Sequence, residues 1–140
     1  MTWILQDRFE NMWFATHGGG VTRCDGSTWR TFATADGLAI DVRCIREDRS
    51  GNLWFACPGL GVTCYDGSTW RTFTVADGLA SNNVNTILAD RSGALWFGAW
   101  DGVVSRYDGS TWRSFTTADG LAAGDVVSIL EDHTGNLWFA

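Results

Sequence analysis

Lysine is absent from this chain of 140 residues, and proline occurs once, at Pro58. All ten basic residues are arginines, scattered so that no run of positive charge follows a phosphate backbone, and the formal net charge is −6. Nucleic acid and anionic membrane surfaces are therefore poor partners. No apolar stretch reaches the roughly 20 residues needed to cross a bilayer. The opening MTWILQDRFE lacks the basic-then-apolar order of an export signal. The four cysteines, Cys24, Cys44, Cys57 and Cys64, follow no metal-site spacing, and a Pro-Gly turn separates the last two. They are expected to be free thiols serving as small apolar side chains.

Catalytic chemistry is also thinly provided. His17 and His133 belong to different sets of loops, and Glu10, Glu47 and Glu131 recur beside turns in the manner of surface residues. No acid and base pair stands out, and no Ser-His-Asp arrangement is supported. Asp90-Arg91-Ser92-Gly93 lacks the spaced oxygen ligands of a calcium loop. The sequence thus leads to an expectation of no enzyme activity, no metal and no cofactor.

What the chain does contain is repetition. Leu-Trp-Phe recurs at Leu53, Leu95 and Leu137, with Met12-Trp13-Phe14 as a fourth copy, so the tryptophans stand 41, 42 and 42 residues apart. Asp-Gly-Ser-Thr-Trp begins at Asp25, Asp66 and Asp108, and Ala-Asp-Gly-Leu-Ala at Ala35, Ala76 and Ala118. One unit divides into four short strands, a to d: Val84 to Leu88, Leu95 to Ala99, Val103 to Tyr107 and Thr111 to Thr116. Asp90 to Gly93 supplies the turn between a and b, and Asp108-Gly109 that between c and d. No segment carries the 3.6-residue period of an amphipathic helix. Leu95-Trp96-Phe97 shows no alternation, so both faces of strand b must be covered, as they are when blades stack around an axis.

Four antiparallel strands in about 42 residues is the blade period of an all-β propeller. The expected blades are residues 1–41, 42–83 and 84–125, followed by a half-blade at 126–140. The segments Gly78 to Ile87, Asp90 to Phe97 and Arg106-Tyr107-Asp108-Gly109 resemble the two-component regulator propeller repeat, and the likeness extends over essentially the whole chain. That resemblance implies seven-bladed rings in the periplasmic sensor portion of bacterial regulators, often responding to polysaccharide fragments. It thereby implies a sensory or carbohydrate-binding ancestry and an extracellular or periplasmic location. Within its 140 residues the chain holds no membrane span, kinase or DNA-binding segment.

Residues 126–140 repeat the pattern of residues 1–15, supplying strands a and b of a further blade without c or d. Uncovered apolar side chains there forfeit roughly 1.5 to 3 kcal/mol each. About 3.5 blades are also too few to close, since rings need about four to eight. The expectation is a homo-oligomer, either a ring dimer or a head-to-tail array or filament. Met1, Trp3, Ile4, Val126, Ile129, Leu137, Trp138 and Phe139 are the expected assembly residues. A piece of a longer natural array is the alternative reading.

The a–b and c–d turns barely change between copies and are assigned to turn formation. The other loops diverge. Between b and c stand Thr16 to Gly20, Cys57 to Gly61 and Ala99 to Gly102; between d and a, Ile40-Asp41, Ser81-Asn82-Asn83 and Ala123-Gly124-Asp125. Variable loops on a rigid scaffold are where a ligand is held. The expected ligand-binding residues are Trp100 and Asp101, a stacking face beside a carboxylate suited to an oligosaccharide, with His17, Asn82 and Asn83.

Overall fold

The computed structural model describes residues 1–140. Fourteen strands form three four-stranded sheets and one two-stranded sheet, all antiparallel meanders. The first sheet comprises β1 (Trp3–Gln6), β2 (Met12–Ala15), β3 (Val21–Cys24) and β4 (Trp29–Phe32). The second comprises β5 (Cys44–Glu47), β6 (Leu53–Cys57), β7 (Gly61–Tyr65) and β8 (Trp70–Phe73). The third comprises β9 (Val84–Ala89), β10 (Leu95–Ala99), β11 (Val104–Tyr107) and β12 (Trp112–Phe115). The last pairs β13 (Ile129–Glu131) with β14 (Leu137–Phe139). The fold is all-β, and each four-stranded sheet is one blade.

The aspartate at each a–b turn explains why these hairpins form. Asp7, Asp48, Asp90 and Asp132 each accept the indole N–H of a tryptophan six residues on, Trp13, Trp54, Trp96 and Trp138, at 2.8 to 2.9 Å. The same carboxylates accept backbone N–H groups inside the turn, from Asn11, Asn52, Ala94 and Asn136. One residue thus shapes the turn and satisfies the one polar atom of the largest core side chain. At the c–d turns Asp25, Asp66 and Asp108 each take four hydrogen bonds from the Ser and Thr that follow.

The Asp-Gly-Leu marker encodes a 3₁₀ turn that the strand period does not reveal. Thr34–Asp36, Val75–Asp77 and Thr117–Asp119 each make one such turn, ended by a glycine with φ of 95°, 112° and 101°. The turn aspartate accepts the backbone N–H three residues before it, at Ala33, Thr74 and Thr116. A β-carbon on Gly78 would stand 3.0 Å from Trp112 of the next blade, so this glycine is needed for contact as well as for conformation. The leucine after it drops into the seam: Leu38 and Leu79 are buried.

The core therefore lies between blades. Trp13, Val21, Phe32 and Leu38 of the first blade pack against Ile45, Leu53 and Phe55 of the second. Trp54, Val62, Phe73 and Leu79 repeat this against Ile87, Leu95 and Phe97. Val104 and Trp96 do so against Val126, Ile129 and Phe139. Strand β6, between two seams, is buried throughout.

Candidate functional site

Hydrogen bonds join the two variable loop sets on one rim. Gly20 N–H reaches Ile40 O at 2.8 Å, both Gly59 and Gly61 N–H reach Asn82 O at 2.9 Å, and Val126 N–H reaches Ala99 O at 2.9 Å. Every b–c loop thus rests on the d–a segment that leads into the next blade.

On this rim the side chains of three blades meet. His17 Nδ1, from the first b–c loop, lies 2.7 Å from Asp41 Oδ1 in the following d–a loop. Arg43, entering β5, has its Nε 3.8 Å from the same oxygen, and its guanidinium carbon is 5.2 Å from the Trp100 ring centroid. Trp100 N–H is tied to Asn83 O at 3.1 Å. Asp101 Oδ2 accepts the Ser81 hydroxyl at 2.6 Å, and Ser81 Oγ in turn accepts Asn83 N–H at 3.0 Å. The ensemble offers an aromatic face with a cation over it, two carboxylates and an exposed imidazole. Arg43 Nε is inaccessible to solvent and has no hydrogen-bond partner in the chain.

Of the expected ligand residues, His17, Trp100, Asp101 and Asn83 all reach this rim. Asn82 serves the loop itself: its Oδ1 accepts Val75 N–H at 3.0 Å and its carbonyl takes the two glycine N–H groups. Asp41, Arg43 and Ser81 complete the ensemble and were not singled out by sequence. His17 and Asp41 stand 24 positions apart in loops of different sets, so no local spacing announces their pairing.

The expected assembly residues divide. Val126 and Ile129 are buried against the third blade, and Leu137 and Phe139 are half-buried on the same side. Strand alternation turns only Trp138 outward, 61% exposed, beside Leu130 and Val127. Trp3, expected at the assembly face, leans on the second blade, with the Arg46 guanidinium 5.0 Å from its ring. At the other end of the arc Met1, Ile4 and Trp29 are exposed, Trp29 at 68%.

Several ionisable groups away from this rim are committed to structure. Burial works to raise the carboxyl of Asp7, but hydrogen bonds from Trp13 and Asn11 outweigh it and hold it below its ordinary value. Asp90 is held down in the same way by Ser92 and Trp96. All four cysteines are free thiols. Burial pushes Cys44 and Cys57 up to about 11, leaving little thiolate at neutral pH. No group of three His, Cys, Asp or Glu side chains is placed to hold a metal ion. No helix is long and apolar enough to cross a membrane.

Blades stacked through Trp and Phe seams, with loops gathered on one rim, define a β-propeller. The chain belongs to the two component regulator propeller family, whose model matches residues 36–59, 78–101 and 120–140. Its fold is similar to that of the extracellular domain of BT3049 from B. thetaiotaomicron, assigned as a hybrid two component system, with a TM-score of 0.85 and 23% identity over 97% of the chain. The extracellular domain of BT4673 from the same organism superposes with a TM-score of 0.82 at 19% identity over 99% of the chain. The chain spans about a fifth of each, 20% and 21% of their lengths. Virginiamycin B lyase from Staphylococcus aureus has a similar fold, with a TM-score of 0.72 at 18% identity, over 97% of the chain and 47% of the lyase. No curated protein matches the chain.

Proposed function

We propose that this chain is a wall of a non-catalytic, sensor-type propeller that holds a ligand on the rim of variable loops, outside the cytoplasm. The carrying observation is the convergence of His17, Asp41, Arg43 and Trp100 from three blades, with Arg43 held to Asp41 by charge and its Nε left without a hydrogen bond. A carbohydrate suits this set. The free part of the Trp100 face stacks on a sugar ring, while Asp41, Asp101 and Arg43 supply acceptors and donors for hydroxyl groups. The extracellular setting of the two B. thetaiotaomicron domains supports the location.

The test is a tryptophan-fluorescence titration with an oligosaccharide panel. Saturable quenching is expected for the intact chain. Trp100→Ala and Arg43→Ala are expected to abolish it while leaving the thermal midpoint within a few degrees. Saturable binding that survives both substitutions overturns the reading.

A second reading rests on the arc's two open faces, which carry Met1, Ile4 and Trp29 at one end and Val127, Leu130 and Trp138 at the other. Self-association of copies through these faces completes the seams that the internal blades already make. Analytical ultracentrifugation then shows species heavier than the 15.4 kDa chain, and Trp29→Ser with Trp138→Ser shifts them toward monomer. A well-folded monomer of the unsubstituted chain sinks it.

A further inference from the structure

On the rim opposite the variable loops, each seam poses the same question of charge, and one seam answers it differently. The last residue of strand a is Gln6, Glu47, Ala89 and Glu131 in the four copies, and the a–b turns that follow carry Arg8, Arg49 and Arg91 in the first three. At the first seam Arg8 grips the next blade. Its backbone N–H reaches Glu47 Oε2 at 3.1 Å and its Nε reaches Glu47 Oε1 at 2.6 Å, while Nη2 donates to the carbonyls of Asp48 and Arg49. At the third seam Arg91 N–H reaches Glu131 Oε2 at 2.9 Å and Nη1 reaches His133 O at 2.9 Å.

At the middle seam the carboxylate is missing, because Ala89 stands where the glutamates do. Arg49 still lies over the next turn, its Cδ 3.2 Å from where a β-carbon on Gly93 would sit, much as Arg8 lies over Gly51. Its guanidinium makes no ion pair or hydrogen bond, and its backbone N–H makes none either. A cleft of about 430 Å³ opens at this seam, lined by Arg49, Ser50, Thr69, Arg71, Gly93 and Tyr107 among others. The Arg71 guanidinium rests 4.3 Å from the Phe73 ring centroid and has no carboxylate partner.

We propose that this seam is a binding site for a small organic carboxylate, whose oxygens take the Arg49 N–H and guanidinium as Glu47 takes those of Arg8. Charge-assisted bonds of this kind are among the stronger polar contacts available near a surface. Asp48, Asp66 and Asp108 also line the cleft, each already accepting four hydrogen bonds from its own hairpin. The chain itself shows that such surroundings accept a further carboxylate, since Glu47 sits directly beside the turn of Asp48. The group by which glutamate exceeds alanine is CH₂–COO⁻, which makes acetate the minimal probe. The site is independent of the rim reading and stands or falls separately from it.

The experiment is a ¹⁵N–¹H NMR titration of the full chain with sodium acetate, against sodium chloride at equal ionic strength. The Arg49 amide should shift saturably with acetate alone, while the Arg8 and Arg91 amides, already bonded to glutamates, stay still. Ala89→Glu should place the missing group internally: the Arg49 amide moves before any acetate is added, and apparent affinity for acetate falls by at least about tenfold. Arg49→Gln should lose the saturable response at neighbouring amides. An Arg49 amide that never saturates, that moves in step with Arg8 and Arg91, or that titrates in Ala89→Glu with undiminished affinity overturns the proposal.

Discussion

Glu10 is the one non-glycine residue with positive φ, at 66°. The other three copies of this a–b turn place Gly51, Gly93 and Gly135 there, with φ of 90°, 94° and 90°. A β-carbon in the left-handed region costs about 1 to 2 kcal/mol, part of which glycine gives back as lost chain entropy. Glu10→Gly should therefore stabilise the chain by about 0.5 to 1 kcal/mol, read as a rise in the urea midpoint at constant slope. Residue-scale detail of another sort escaped the sequence. Glu47 and Glu131 look like surface carboxylates beside turns, yet each crosses a seam to an arginine 39 or 40 positions earlier. Only once the copies are laid over one another in space does Ala89 become a gap and not merely another small residue.

At the scale of the element, the a–b hairpin depends on one carboxylate. Asp48 accepts from Ser50, from Asn52 twice and from the indole of Trp54, which is buried. Asp48→Ala strands the indole N–H and three turn donors, at a cost of about 2 to 4 kcal/mol. Asp48→Asn should recover only part of this, because an amide nitrogen then faces one set of donors; urea denaturation of both variants checks the order. These hairpins were legible in sequence because Asp, Gly and Trp recur at fixed offsets and each has a direct physical task. Strand bounds followed too: the third blade runs Val84–Ala89, Leu95–Ala99, Val104–Tyr107 and Trp112–Phe115, within a residue of the pattern. The rim was legible as a region, through the divergence of its loops, but not as a constellation. Arg43 lies at the mouth of a strand and Asp41 in a loop two blades from Trp100, and only the curvature of the arc brings them together. The 3₁₀ turns escaped because one turn of helix leaves no periodicity.

For the whole molecule, acid is the predicted weakness. Asp7 and Asp90 are held below the ordinary value of 3.8, and Asp25, Asp66, Asp108 and Asp132 are lowered by their turn hydrogen bonds. A carboxyl lowered on folding contributes stability that is complete above its unfolded pKa and is lost as pH falls through the folded one. The thermal midpoint should stay level from neutrality down to about pH 5 and drop steadily below about pH 4. A midpoint that already falls between pH 7 and pH 5 places the sensitivity elsewhere.

The two faces of every blade also bear on how such a chain can change length. Each seam joins a Trp and Phe face to an Ile, Leu and Phe face, so a blade copied in place meets a neighbour already shaped to receive it. Duplication of a 42-codon unit therefore creates no interface that must be invented afterwards. The copy starts with a working fit, while its rim loops and its strand-a terminal residue are left free to diverge.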